Sequence, residues 1–373
     1  MSREIDVDIQ PAYPVSWRAA LFNTLMRGTT KPLSALLVRH GLGISCVSRV
    51  VELSQRLPLP VPGHVTIDKV DGEPPCGSEW VRAGDDLDES KVVLYFHGGA
   101  YFFCSPATHR PITWRLSAVA RRPVFALDYR QGPIHSLPES LADALDAYQG
   151  LLDRGFAPQD VIVAGDSAGG HLTLATLLAL RDRGMPLPGA AICLSPWADL
   201  SDVRRRANRW ADPMLSAGRV DWLARRWTAG LDCHDPLVSP VYGDYTGLPP
   251  MMVVTGSTEV LRDEDRRVAL QARRAGVKVT YEEWRRMPHV FAMLADVVPE
   301  AQMVFRHIGR FLDAVAASVA SEPSGATAVG SAVAGSTVAG SAVAGSAAVG
   351  SAAVRSAVAG ASVPEGPGST AAA

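Results

Sequence analysis

The sequence predicts an α/β domain with a mostly parallel central sheet flanked by helices. Two observations carry this. Short β-rich runs alternate with helical stretches from "KVVLYF" onward, as a helix-covered parallel sheet requires. One run, "DVIVAG", passes through Gly165-Asp166-Ser167-Ala168-Gly169 straight into a helical stretch. In such sheets ligands bind beyond the carboxyl ends of the strands, so the loops after the strands hold the candidate chemistry.

In chain order, residues 14–56 read as helical, because "SWRAALFNTLMRG" and "KPLSALLVRHGL" space apolar residues by three and four. The readings open to these helices are core packing, an interfacial anchor, or, preferred, an N-terminal helical cap or lid spanning residues 1–60. The expected strands are "HVTIDKV", "SEWVRA", "KVVLYF", "PVFALDY", "DVIVAG", "AAICLSP", "MMVVTG" and "VKVTYEE". The expected helices are 107–121, 138–154, 167–183, 262–275 and 300–317. Residues 61–320 make the main domain, and composition breaks near Ser321. Beyond it glycine recurs every five residues at Gly330, Gly335, Gly340, Gly345 and Gly350. A stretch without large side chains cannot offset its own ordering entropy, so 321–373 reads as a low-complexity, disordered tail.

The bulk numbers exclude several classes. The 373 residues are 47% hydrophobic and 20% charged, with net charge −2, which leaves no electrostatic footprint for nucleic acid. The cluster Arg204, Arg205, Arg206 and Arg209 reads as a solvated helix face. Cys46, Cys76, Cys104, Cys193 and Cys233 are odd in number and lack paired spacing, which fits a reducing compartment. No signal-peptide pattern and no run of 18 apolar residues is expected to place the chain in a membrane. The expectation is a cytoplasmic protein with no stable membrane insertion. A homodimer through a sheet edge or the tail is open.

Three loops carry the chemistry. Small residues around Ser167 allow a sharp strand-to-helix turn that presents its hydroxyl near a helix N-terminus. The bland alternative is an N-cap serine. A serine nucleophile needs a base and an orienting acid. His289, after the last strand, is the candidate base. His307 is expected on a helix surface, and His171, four residues after Ser167, is expected to point away. Glu259, three residues after Gly256, is the candidate acid; Asp263 is the fallback, and Glu264 and Asp265 fall on the following helix.

The third loop is "HGGAYFF". Gly98 and Gly99 lack side chains, so their N–H groups can approach a substrate oxygen and stabilise the negative charge that builds on it. Ala168 supplies a third N–H. Tyr101, Phe102 and Phe103 are the candidate walls of a substrate pocket, with plain core packing the alternative for each. His97 is expected to order this loop.

The ordered set "YFHGGAYFF", "ALDYR", "AGDSAGGHLTLA", "SPWADL", "DPLVSPVYGDYTGLPP", "GSTEVLRDE" and "MPHVF" resembles the hormone-sensitive-lipase-like branch of the α/β-hydrolases over about residues 60–318. The resemblance implies the α/β-hydrolase fold, an N-terminal cap, and a second cap segment at about 203–235. It implies Ser167 as nucleophile, Glu259 as acid, His289 as base, and Gly98, Gly99 and Ala168 as oxyanion donors. The implied activity is serine carboxylesterase action on short- to medium-chain acyl esters, with no metal or organic cofactor. The alternatives are an acetyl-hydrolase or lactone hydrolase for a specific metabolite, or a non-catalytic ligand receptor. This chain departs from the family pattern at Ala100, where a third glycine is common, and at Val260, where proline commonly follows an aspartate. It departs again at Gln131-Gly132-Pro133-Ile134, where Leu-Ala-Pro-Glu is usual.

Overall fold

The computed structural model describes residues 13–29, 61–70, 77–201 and 212–321. The stretch "KPLSALLVRHGL", the arginine cluster and all of the expected tail after Ser321 lie outside the described residues.

All eight expected strands form. They are β1 (Val65–Lys69), β2 (Glu79–Ala83), β3 (Val92–Phe96), β4 (Val124–Leu127), β5 (Val161–Asp166), β6 (Ala190–Leu194), β7 (Met251–Gly256) and β8 (Val279–Trp284). They build one sheet in the order β1-β2-β4-β3-β5-β6-β7-β8. β2 pairs antiparallel with β1 and with β4; every other pairing is parallel.

The described helices are α1 (Trp17–Gly28), α2 (Arg110–Ala120), α3 (Leu137–Asp153), α4 (Ala168–Asp182), α5 (Ala217–Trp227), α6 (Arg262–Arg274) and α7 (Pro299–Ser321). Two expected boundaries shift. The stretch at 107–121 begins as a tight 3-10 turn, Pro106–His109, because Pro106 and Pro111 start new helical turns rather than continue one. α7 runs to Ser321, past the expected end, although its core-facing stripe ends near Phe311, Leu312 and Val315.

Side-chain alternation along the strands sorts the helices onto two faces. Val93 and Tyr95 of β3 face one core with Ile112 and Leu116 of α2 and Val304 and Ile308 of α7. Val92, Leu94 and Phe96 face the other, with Leu145 of α3 and Leu172 of α4. Every residue of β3 is buried, as expected of a strand covered on both sides. α1 docks by its N-terminus: Ser16 caps the helix at the Ala19 N–H, and its own N–H and hydroxyl donate to Glu300 of α7 at 2.6 and 2.9 Å. Among the described residues, no helix is long and apolar enough to cross a membrane.

The topology sets the site. β3, β5, β7 and β8 run parallel, so their carboxyl ends open on the same edge of the sheet.

Candidate active site

β5 ends at Asp166 and α4 begins at Ala168, leaving a single residue, Ser167, to turn the chain. Ser167 has φ 52° and ψ −117°, a conformation that costs about 1–3 kcal/mol for a non-glycine residue and must be held by its surroundings. The flanking glycines make room for it. A Cβ at Gly165 would collide with the carbonyl of Gly169, and one at Gly169 with the carbonyl of Phe96.

The loops after β7 and β8 bring Glu259 and His289 to this serine. His289 Nε2 lies 2.9 Å from Ser167 Oγ, and His289 Nδ1 lies 2.8 Å from Glu259 Oε2. A carboxylate only accepts, so Nδ1 donates to it and Nε2 is left to accept from the serine hydroxyl. Glu259 is fully buried and His289 is 7% exposed. Burial alone pushes the His289 pKa down, but its hydrogen bond and ion pair with Glu259 outweigh this and raise it above its ordinary value. Burial pushes the Glu259 carboxyl up, against the pull of His289 and the Gly256 N–H.

The other acids point elsewhere. Asp263 is exposed beside Arg262, and Glu264 accepts from the N–H groups of Ala198 and Asp199 at 2.9 and 3.2 Å. Asp265 is wholly buried, with burial pushing its carboxyl well up.

Two residues unmarked at the level of sequence support this line. Ser195, at the end of β6 with φ 50°, donates from Oγ to Glu259 Oε1 at 2.8 Å and accepts from the Val290 N–H at 3.2 Å. It thus ties the acid to the residue following the base. Asp212, buried completely, accepts from the Val260 N–H at 3.0 Å and raises the His289 pKa through its charge. Only the serine in "AAICLSP" at a strand's carboxyl end could have drawn attention to Ser195.

The glycine loop after β3 differs from expectation at one donor. The Gly98 N–H donates to Asp166 Oδ1 at 2.9 Å, so it is not offered to a substrate. Gly98 is a glycine because a Cβ there would strike the Asp166 carboxylate. Asp166 also accepts from the Tyr95 hydroxyl and sits 3.2 Å from His109 Nε2. Burial by itself pushes the Asp166 carboxyl up; His109 and Tyr95 outweigh it and hold it below its ordinary value. The N–H groups of Gly99 and Ala100 donate to no protein acceptor among the described residues, nor does that of Ala168 at the start of α4. Ala100, which stands at a common glycine position, takes φ 56°.

His97 orders the loop as expected. Its Nδ1 donates to the Gly98 carbonyl at 2.7 Å, and its ring stacks on Tyr129 at 4.6 Å. Burial pushes its pKa down to about 3, so it stays neutral.

Three further expectations are corrected or refined. Tyr101 is 1% exposed and packs in the core; its hydroxyl donates to His171 Nδ1 at 2.6 Å, so it does not face an open pocket. His171 does turn from the serine, and its Nε2 donates to the Val238 carbonyl at 2.9 Å. Burial pushes the His171 pKa down to about 4. His307 is no surface residue: its side chain is 10% exposed, pairs with Glu282 at 2.6 Å and packs on Trp284. Phe102 and Phe103 stay half-buried with edge-to-face rings 4.7 Å apart, and Phe102 adjoins Trp227 of α5.

Comparison with known proteins gives a consistent picture. A family model described as the alpha/beta hydrolase fold matches residues 93–293. An acetyl-hydrolase of Streptomyces hygroscopicus is 43% identical over 242 residues, covering 64% of this chain and 79% of the relative. The crystal structure of an esterase, EstE5, soaked with p-nitrophenyl butyrate superposes with a TM-score of 0.73 at 31% identity, covering 81% of this chain and 99% of that one. An esterase described as a member of the bacterial hormone-sensitive lipase family superposes with a TM-score of 0.69 at 32% identity, covering 80% and 98%.

Proposed function

This chain belongs to the α/β-hydrolase family, in its hormone-sensitive-lipase-like branch, and from that we propose a serine carboxylesterase for short- to medium-chain acyl esters with Ser167 as nucleophile. The observation that carries the proposal is the continuous line from Ser167 Oγ through His289 to Glu259.

In this reading His289 Nε2 takes the Ser167 proton as Oγ attacks the ester carbonyl. The carbonyl oxygen becomes an oxyanion within reach of the Gly99, Ala100 and Ala168 N–H groups. The tetrahedral intermediate collapses, His289 returns the proton to the leaving alcohol, and an acyl-Ser167 ester remains. Water, deprotonated by the same histidine, attacks it; as this second tetrahedral intermediate collapses, His289 returns the proton to Ser167 Oγ and the carboxylic acid leaves. Glu259 holds the imidazole tautomer and stabilises the imidazolium that forms in each half-reaction. Phe102 and Phe103 are the proposed apolar contacts of the substrate.

The N-terminal region and about 203–235 are proposed as caps. The described pieces supporting this are α1, seated on α7, and α5, seated beside the glycine loop. Among the described residues Cys104, Cys193 and Cys233 form no disulfide, and a cytoplasmic location is the proposal that goes with this. β1 and β8 are the sheet's edges, and a homodimer would pair through one of them.

The test is hydrolysis of p-nitrophenyl esters from acetate to laurate, with wild type beside Ser167→Ala. Turnover that peaks at short or medium chains and vanishes in the variant supports the proposal. Equal activity in both removes Ser167 as nucleophile. The relative named acetyl-hydrolase favours a second reading, deacetylation of a specific metabolite; a panel of O- and N-acetylated compounds separates the two.

A further inference from the structure

We propose that Trp227 of α5 is a positioning residue for the oxyanion loop, its indole N–H fixing the Ala100 carbonyl so that the cap segment sets how well the loop binds the transition state. The proposal rests on the esterase reading above and adds a residue from outside the glycine loop.

The oxyanion loop is held peptide plane by peptide plane. The plane ending in the Gly98 N–H is held by Asp166 Oδ1 at 2.9 Å. The next carries the Gly98 carbonyl, held by His97 Nδ1 at 2.7 Å, and the Gly99 N–H. The third carries the Gly99 carbonyl, held by the Phe102 and Phe103 N–H groups at 3.0 and 2.8 Å, and the Ala100 N–H. The fourth carries the Ala100 carbonyl, and Trp227 Nε1 donates to it at 2.8 Å. Both unclaimed donors thus lie on the two middle planes, between an anchor from β5 and an anchor from the cap.

The last anchor matters because Ala100 and Tyr101 hold φ of 56° and 60°. The left-handed region is strained for a residue with a Cβ, so the fourth plane has a reason to relax unless something holds it.

Gly132 fits the same contact. A Cβ there would fall inside the Trp227 ring, so an alanine would displace the indole. Gly132 in turn donates its N–H to the Tyr101 carbonyl at 2.9 Å, joining the 131–134 loop to the glycine loop. If Trp227 served only as apolar filler, its N–H would be dispensable and phenylalanine would serve as well. Trp227 is 8% exposed and Ala100 is half-buried, so the hydrogen bond is partly shielded from water.

The test compares wild type, Ser167→Ala, Trp227→Phe, Gly132→Ala and the Trp227→Phe/Gly132→Ala double variant on p-nitrophenyl butyrate. Trp227→Phe is expected to lower kcat about 10-fold with KM within about twofold, as for loss of one buried hydrogen bond that acts on the transition state. Gly132→Ala is expected to do the same, and the double variant no worse than either, since both break one contact. A wild-type kcat in Trp227→Phe, or an effect confined to KM, overturns the proposal. Hydrogen exchange of residues 97–104 supplies a readout independent of the chemistry. Faster exchange there in Trp227→Phe, with β3 unchanged, is expected; unchanged exchange overturns the clamp even if the ester reading holds. Failure of the ester reading is recognised separately, by an inert wild type or an active Ser167→Ala.

Discussion

Glu259 Oε2 lies 2.8 Å from His289 Nδ1, and its other oxygen is tied down by the Ser195 hydroxyl and the Gly256 N–H. The carboxylate is therefore held at Oε1 by two donors, which leaves Oε2 to face the histidine. Glu259→Gln keeps the shape but removes the charge that stabilises the imidazolium. Its kcat is expected to fall by about 10²–10⁴ with little change in KM, read by steady-state kinetics.

The same pair predicts a pH profile. The proposed base, His289, can take a proton only when neutral, and Glu259 raises its pKa from the ordinary 6.5. Activity should rise with pH through a midpoint above 6.5. Stability should move oppositely. A raised histidine contributes stability that is full below the unfolded value and is lost as pH rises through the folded one. Parallel kcat/KM and urea-unfolding series between pH 5 and 9 should therefore cross, and an activity midpoint below 6.5 would contradict the pairing.

Ser195→Ala removes the donor to Glu259 Oε1 and the acceptor for the Val290 N–H. It should lower kcat about 10-fold and stability by about 1–3 kcal/mol, because a buried N–H loses its partner. Kinetics and denaturant midpoints measure the two effects on one sample.

Asp166→Asn tests the support under the glycine loop. The aspartate accepts from Gly98 and Tyr95 and faces His109. Replacing it should cost about 3 kcal/mol at neutral pH. Because its folded pKa is depressed, its contribution is present above the unfolded value near 3.8 and is lost as pH falls through the folded one. The stability gap between wild type and variant should therefore narrow in acid, as followed by thermal melts.

Gly169→Ala should be among the most damaging small changes. Its added methyl meets the Phe96 carbonyl, which belongs to a central strand and has little room to yield. A loss of about 1–3 kcal/mol is expected, with kcat falling as the serine turn shifts. A variant as stable and active as wild type would show that the turn relaxes freely.

The sequence by itself determined the strand and helix alternation, all eight strands, and which strand ends are followed by Ser167, Glu259 and His289. These follow from local rules: side-chain period, small residues at a tight turn, and the opening of parallel strands on one edge. The tertiary structure alone decided which groups were still free to act. Gly98 reads as an oxyanion donor in the sequence, but Asp166 claims its N–H, and the unclaimed donors are Gly99, Ala100 and Ala168. Tyr101 looked like a pocket wall, yet it faces His171 in the core. Ser195 and Trp227 carried no mark in the chain. They matter through partners 64 and 127 residues away. Each N–H and hydroxyl has room for few partners, and which partner it finds is set by packing between distant segments, so no local pattern encodes it.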